Sequence, residues 1–319
     1  MIISMTIVTV MKTSPWRVLA AIALAATATT ACTTDSGTDS GTSPQGVSVS
    51  AGFYPLAFVA ERIVGDVGTV TTVAPPGVEP HDIELSPATV REMQKTDVVL
   101  YISGFQPAVD DAIASTGSFG LDAATVVDLH PADAHGDAAT EDDHDDDHGD
   151  TDPHFWLDPT LLANYALAVG DSFAHLDPAR GDTYMTNAAD LADELTGLAD
   201  SYATGLAQCE RRDIVVSHEA FGYLVGAFDL HQIAIAGVDP QNEPSPAKIR
   251  EIRDLIASTG STTVFTESLV NPAVAESLAA DAGVATSVLD PVETVIDGDD
   301  YLGVMDRNLQ ALREALDCA

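Results

Sequence analysis

The composition and charge of the chain narrow the classes of function. Its 319 residues are 45% hydrophobic, which is enough for one large core or two modest domains. Asp and Glu number 50 against 13 Lys and Arg, a formal net charge of −37, and this disfavours nucleic acid as a ligand because its phosphates would be repelled. The same surplus suits a cation as ligand, or a high-salt habitat.

Residues 1–31 have the composition of an export signal. Lys12 and Arg17 precede the apolar run VLAAIALAATA, which is shorter than the roughly 20 residues that span a membrane. Small residues then lead to Cys32, as at a bacterial lipoprotein cleavage site, although Thr29 stands where leucine is usual, and plain secretion is the alternative. Residues 32–46 are rich in Ser, Thr, Gly and Asp, which predicts a flexible tether.

The sequence pattern of residues 47–180 indicates an N-terminal α/β lobe. The stretches VSVSA, GTVTTVAP, VVLYIS and ATVVDL have the composition of strands, and helical segments separate them. This alternation is typical of a parallel sheet with helices on both faces. Within the lobe, residues 132–151 hold too many like charges to fold compactly, which predicts a mobile surface loop.

A long helix and a second α/β lobe are predicted for the rest of the chain. Residues 181–208 contain no proline and space their apolar residues by three and four, which predicts a helix of roughly 40 Å joining two lobes. The β-α alternation resumes over residues 209–319, with DIVVSH, HQIAIAG, TTVFTE and VATSVLD as strands. We therefore expect two lobes, each with a mostly parallel sheet flanked by helices, and a ligand site in the cleft between them.

Besides Cys32, the chain contains two cysteines, Cys209 and Cys318. An exported protein occupies an oxidising compartment, where an even pair of cysteines more often forms a disulfide than stays free. Zinc ligation by the pair is the competing interpretation, but no CxxC motif supports it.

Four potential metal ligands lie at the ends of predicted strands or in loops, two in each lobe. His81 follows GTVTTVAP through a short loop, His154 precedes the helix that opens at DPTLLANYAL, and His218 and Asp290 end the strands DIVVSH and VATSVLD. Ligands of open α/β sheets bind beyond the carboxyl ends of the strands, so two residues from each lobe can converge on one cleft. Three imidazoles and a carboxylate suit Zn²⁺, whereas Mn²⁺ prefers more oxygen ligands. Glu267, which also ends a strand, and water compete with Asp290 for the fourth position.

Several stretches, in order along the chain, resemble bacterial zinc-uptake substrate-binding lipoproteins, the metal-binding class of ABC-transporter receptors. They are EPHDIELSPATVREMQKTDVVLYIS, DPHFWLDP, SHEAFGYL, NEPSPAKIREIRDL, VFTES and AGVATSVLDP, and the similarity covers nearly all of residues 48–317. The resemblance implies the two-lobed fold and ligand roles for His81, His154, His218 and Asp290. Manganese-binding relatives carry Glu where this chain has His218, which favours zinc.

The resemblance also implies a function. It predicts a non-enzymatic receptor, exported to the periplasm or cell surface, anchored through a lipid on Cys32, that hands Zn²⁺ to an ABC permease. A monomer is expected, and a metallochaperone is a candidate donor of the metal. The alternatives are a manganese or iron receptor of the same class, a zinc metallohydrolase with three protein ligands and an open position, and a surface adhesin.

Zinc-binding members of that class often carry a His- and acid-rich loop just before the second ligand. In this chain His130, His135, His144 and His148 lie in or beside residues 132–151, immediately ahead of His154. The interpretation is a weak, multi-site metal collector near the cleft, and a solvated spacer is the alternative.

Overall fold

The computed structural model describes residues 46–131, 151–294 and 298–319. The predicted signal segment, almost all of the predicted tether, Cys32, and the loop histidines His135, His144 and His148 lie outside these ranges.

The first lobe is built on a sheet of four parallel strands. The two central strands bury apolar residues on both faces, as in Val98, Val99 and Leu100, which is the composition that a sheet covered by helices on both faces requires. The strand order is β2-β1-β3-β4. The strands are β1 (Ser48–Ala51), β2 (Thr69–Thr72), β3 (Val98–Tyr101) and β4 (Gly120–Asp122).

Among the described residues, three α-helices accompany this sheet, and local signals determine where they begin. They are α1 (Tyr54–Val64), α2 (Pro87–Met93) and α3 (Pro107–Thr116). Each has a proline at one of its first two positions, where a missing N–H costs nothing. The hydroxyl of Ser86 accepts a hydrogen bond from the Thr89 N–H, as its position predicts.

The fourth strand differs from its prediction at ATVVDL. The strand lies earlier, at Gly120–Asp122, and residues Ala123–Thr125 form a short 3₁₀ helix. The carboxylate of Asp122 accepts a hydrogen bond from the Ala124 N–H and so caps that turn. This local side-chain bond ends the strand before the β-branched residues that follow it.

Two long helices lead from the first lobe to the second. They are α4 (Pro159–Leu176) and α5 (Gly181–Gly205). Asn187, early in α5, donates to the carbonyl of Ile63 in the first lobe, and Tyr202, near its end, donates to the carbonyl of Met305 in the second. The single helix α5 therefore contacts both lobes, in agreement with the linking helix predicted from the sequence.

The second lobe repeats the topology of the first. Its sheet is parallel with the order β6-β5-β7-β8, from β5 (Asp213–Val216), β6 (His231–Ala234), β7 (Thr263–Thr266) and β8 (Ala285–Val288). Its helices are α6 (Gly222–Ala227), α7 (Pro246–Thr259), α8 (Ala273–Ala282) and α9 (Tyr301–Leu316). The fold class predicted from the sequence, two parallel-sheet α/β lobes, is confirmed.

A disulfide joins Cys209 and Cys318, the pair expected from the sequence. These residues lie ahead of β5 and beyond α9, so the bond fastens the beginning of the second lobe to its end. Within the described ranges, no helix combines the length and apolar character needed to cross a bilayer.

Candidate metal centre

His81 reaches the cleft from the loop that follows β2. Its backbone N–H donates to the Glu79 carboxylate at 3.0 Å, and its ring packs edge-on against Phe105 at 4.7 Å between centroids. The residue is 9% exposed, which makes it the most accessible histidine of the centre.

His154 lies in the segment DPHFWLDP, whose unusual composition the structure explains. The Asp152 carboxylate accepts two hydrogen bonds from His154, from its N–H at 2.9 Å and its Nδ1 at 2.7 Å. Phe155 and Trp156 follow in a 3₁₀ helix and are fully buried, and Asp158 then caps α4. The first Asp-Pro pair thus orients the histidine, the aromatic residues anchor it in the core, and the second pair starts the next helix.

His218 lies just beyond the carboxyl end of β5 and is fully buried. Its Nδ1 lies 2.8 Å from both oxygens of Glu267, the residue that follows β7. β5 and β7 are the strands between which the chain order reverses, the position where open α/β sheets bind their ligands. Glu267 thereby fixes the ring and leaves Nε2 facing the cleft.

The fourth member of the group is Glu293, which was not predicted from the sequence. Its Oε1 lies 3.4 Å from Nε2 of His81, 3.3 Å from that of His154 and 3.8 Å from that of His218. One donor atom from each of these residues lies within 4.8 Å of all the others. All four atoms are buried and none has a hydrogen-bond partner. Buried polar atoms are nearly always paired, so four convergent unpaired donors have the character of a metal site.

The electrostatics of the group follow from burial and from the neighbouring carboxylates. Burial alone would lower the pKa of His154, but Asp152 and Glu293 outweigh it and raise the pKa to about 9. The pKa of His218 is also raised, because Glu267 outweighs the effect of burial. For Glu293, burial acts to raise the pKa, and the contacts with His154 and His81 hold it well below its usual value. Without metal, the group therefore holds an ionised carboxylate beside protonated imidazole.

A family model described as zinc-uptake complex component A, periplasmic (ZnuA) matches residues 49–315. The match spans both lobes and all four members of the group. The chain belongs to the ZnuA family.

Two similar proteins and one solved structure are described as zinc-binding or zinc-uptake proteins. The chain is 30% identical over 280 residues to the zinc-binding lipoprotein AdcA of Streptococcus pneumoniae, covering 83% of this chain but 55% of that protein, so it spans about half the relative's length. It is 28% identical to the high-affinity zinc uptake system protein ZnuA of Bacillus subtilis, over 83% of this chain and 86% of that protein. The Zn(II)-bound ZnuA-like domain of S. pneumoniae AdcA matches with a TM-score of 0.69 at 28% identity, covering 85% of this chain and 99% of that one.

Asp290, taken from the sequence as the fourth ligand, does not join the group. One of its carboxylate oxygens accepts from the Ser268 hydroxyl at 2.6 Å, and the other accepts from the Val292 N–H at 2.8 Å. Glu267, its rival, is hydrogen-bonded to His218 rather than facing the other histidines. Both carboxylates are therefore engaged in hydrogen bonds, and Glu293, farther along the loop after β8, faces the three imidazoles.

His130 is the one histidine of the predicted metal-collecting set that the described residues include. Its ring stacks on Tyr223 at 4.6 Å, and its N–H donates to the Tyr223 hydroxyl, which in turn donates to the carbonyl of Asp152. It is not one of the four convergent donors. An isolated β-bridge pairs Pro131 with Thr151, the residues on either side of 132–150. His130 therefore lies close to Asp152, which holds His154, and close in sequence to residues 132–150.

A cleft of about 460 Å³ opens beside the centre. Glu79 borders it from the first lobe, and Ser217, Gln241 and Asn242 border it from the second. Since Glu79 bonds to the backbone of His81 and Ser217 precedes His218, this cleft adjoins two of the four convergent residues.

Proposed function

We propose that this protein is an exported receptor that binds Zn²⁺ with high affinity and delivers it to an ABC permease for import. The ligands are His81, His154, His218 and Glu293. The observation that carries the proposal is the convergence of their four buried donor atoms, none of which has a hydrogen-bond partner. These atoms have almost no solvent-accessible surface, and a divalent cation is a ligand that would satisfy all four together.

The donor set supports zinc over other divalent ions. Three imidazole nitrogens and one carboxylate oxygen are ligands that Zn²⁺ takes in tetrahedral geometry. Manganese favours a larger share of oxygen ligands, which this group lacks. The named relatives point the same way, since AdcA of S. pneumoniae is called a zinc-binding lipoprotein and ZnuA of B. subtilis a zinc uptake protein.

The arrangement supports transport rather than catalysis. A catalytic zinc site keeps a coordination position open for water or substrate, usually with three protein ligands. Here the group offers a fourth protein donor, which would fill the position that a catalytic site keeps open. His81 and His154 come from the first lobe and His218 and Glu293 from the second, so separation of the lobes would divide the ligand set and release the metal.

The proposal includes a location and partners. A lipid on Cys32 anchors the receptor outside the cytoplasmic membrane, where the permease receives its zinc. The receptor acts as a monomer, and a metallochaperone is a candidate donor. Export also accords with the Cys209–Cys318 disulfide, because such bonds persist in oxidising compartments.

Metal analysis of the purified protein, with competition among zinc, manganese and iron, tests the central claim. One zinc per chain is expected, retained against both competitors. Glu293→Gln should weaken zinc binding strongly, while Glu314→Gln, the same substitution at an exposed residue of α9, should leave it unchanged. Unchanged affinity in Glu293→Gln, or a preference for manganese, would contradict the proposal.

A further inference from the structure

We infer that Asp290 and Asn308 are positioning residues that hold a strained turn, Asp290–Glu293, and so aim the Glu293 carboxylate at the three histidines. The inference rests on the proposed zinc-binding function and assigns a role to residues outside the ligand set. Three observations carry it: the backbone of Val292, the bonds that hold the turn, and the engagement of both Asp290 oxygens.

Val292 has a backbone conformation that its side chain disfavours. Its φ is +59°, in the left-handed region, and the residue is fully buried. The other non-glycine residues with positive φ in the described ranges are aspartates, Asp229 and Asp317, and Asp tolerates this region better than a β-branched residue does. Such a conformation persists only where the surrounding structure imposes it.

Asp290 and Asn308 impose that conformation from within the second lobe. The Asp290 carboxylate accepts the Val292 N–H across the turn and is itself held by the Ser268 hydroxyl. Asn308, on α9, clamps the backbone of Asp290 from both sides: its Oδ1 accepts the Asp290 N–H at 2.9 Å, and its Nδ2 donates to the Asp290 carbonyl at 2.7 Å. Asp290 and Asn308 are both buried, so water does not compete for these bonds.

The turn is also tied to the segment that carries His154. The indole Nε1 of Trp156 donates to the Pro291 carbonyl at 2.7 Å, and the Tyr301 hydroxyl donates to the Trp156 carbonyl at 2.6 Å. The position of Glu293 is thereby fixed relative to a ligand from the other lobe. If the turn relaxed to negative φ at Val292, the backbone would redirect Glu293 and separate its carboxylate from the imidazoles.

The first test breaks the clamp without touching the four convergent residues. In the full-length protein, Asn308→Ala should weaken zinc binding about 10- to 100-fold, the usual effect of losing an outer support of a ligand. It should also change the visible absorption bands of bound Co²⁺, which report ligand geometry. Asn187→Ala is the matched control, because it removes another asparagine-to-carbonyl bond, to Ile63, away from the centre. Equal affinity and equal Co²⁺ spectra in wild type and Asn308→Ala would overturn the inference.

The second test separates positioning from ligation at Asp290. Asp290→Asn keeps an oxygen that can accept the Val292 N–H, so it should bind zinc far more tightly than Asp290→Ala. The loss of zinc affinity in Asp290→Ala should resemble the loss in Asn308→Ala. If Asp290→Asn loses as much affinity as Glu293→Gln, the charge of Asp290 acts on the metal and the inference is overturned. If Glu293→Gln binds zinc as wild type does, the proposed site itself fails, whatever the variants at Asp290 and Asn308 show.

Discussion

Zinc binding should displace protons from the metal centre, and the structure indicates the pH range. Although burial acts to lower it, the pKa of His154 in the metal-free protein is raised to about 9 by Asp152 and Glu293. A group with that pKa is protonated about 99% of the time at pH 7, and the imidazole must lose its proton before Nε2 can bind a metal. The apparent zinc affinity should therefore rise almost tenfold between about pH 7 and 8, and on the order of 50-fold between pH 7 and 9. The raised pKa of His218 would make the zinc affinity rise more steeply with pH.

Two measurements check this expectation. Competition against a chelator of known protonation behaviour gives the affinity at each pH. Calorimetry at pH 7 in buffers with different ionisation enthalpies counts the protons released, and at least about one per zinc is expected. Asp152→Asn should flatten the pH dependence because it removes a carboxylate that holds the proton on His154. Asp171→Asn, the same change beside the exposed His175, is the control and should leave the slope unchanged.

The same pKa makes the stability of the metal-free protein depend on pH. Because the folded pKa of His154 lies above its unfolded value, protonation stabilises the fold fully below about pH 6.5, and this contribution is lost as the pH rises through about 9. The difference between the folded and unfolded pKa of His154 corresponds to about 3 kcal/mol of the free energy of unfolding at most. Urea unfolding of zinc-free protein across this range measures it. A zinc affinity that is flat from pH 7 to 9, with no proton release, would show that His154 is neutral before zinc arrives and would refute the reasoning.

Three further predictions concern the disulfide, metal selectivity and the acidic loop. Replacing Cys209 and Cys318 together by serine should lower the free energy of unfolding by up to about 4–5 kcal/mol, because the bond joins residues 109 apart, and urea denaturation measures the loss. His218→Glu should shift preference from Zn²⁺ towards Mn²⁺ in calorimetric titrations, since an oxygen replaces a nitrogen ligand, and an unchanged zinc affinity would remove His218 from the site. Deleting residues 132–150 should leave one tight zinc site, remove weaker ones and slow stopped-flow zinc transfer. Loss of the tight site would contradict the ligand assignment. If neither the zinc stoichiometry nor the transfer rate changes, residues 132–150 act only as a spacer.

The fold could be predicted because its signals are local and repeated. Each lobe alternates short β-branched stretches with helices, and prolines and capping residues such as Ser86 mark where helices begin. The fourth strand was misplaced because ATVVDL has β-branched composition, while a single hydrogen bond from the Ala124 N–H to Asp122 decides the backbone there. Composition describes the average preference of a segment and does not reveal which side chain will cap it.

The strand-end rule that selected His218 and Asp290 as predicted metal ligands also explains why Glu293, which lies beside the three histidines, was missed. Strand ends converge in an α/β sheet, so residues that end strands are natural candidates, and His218, Glu267 and Asp290 all satisfy that rule. The rule cannot tell a ligand from its support, because both must lie at the strand end. The Glu267 carboxylate is hydrogen-bonded to His218, and the Asp290 carboxylate accepts the Val292 N–H. Glu293, which follows a valine with positive φ, is the carboxylate that faces the three imidazoles. No pattern in LDPVE predicts that turn, since valine is among the residues least expected to adopt it. A carboxylate near a strand end thus identifies the neighbourhood of a metal, and only the bonds its oxygens already make show whether it is free to bind one.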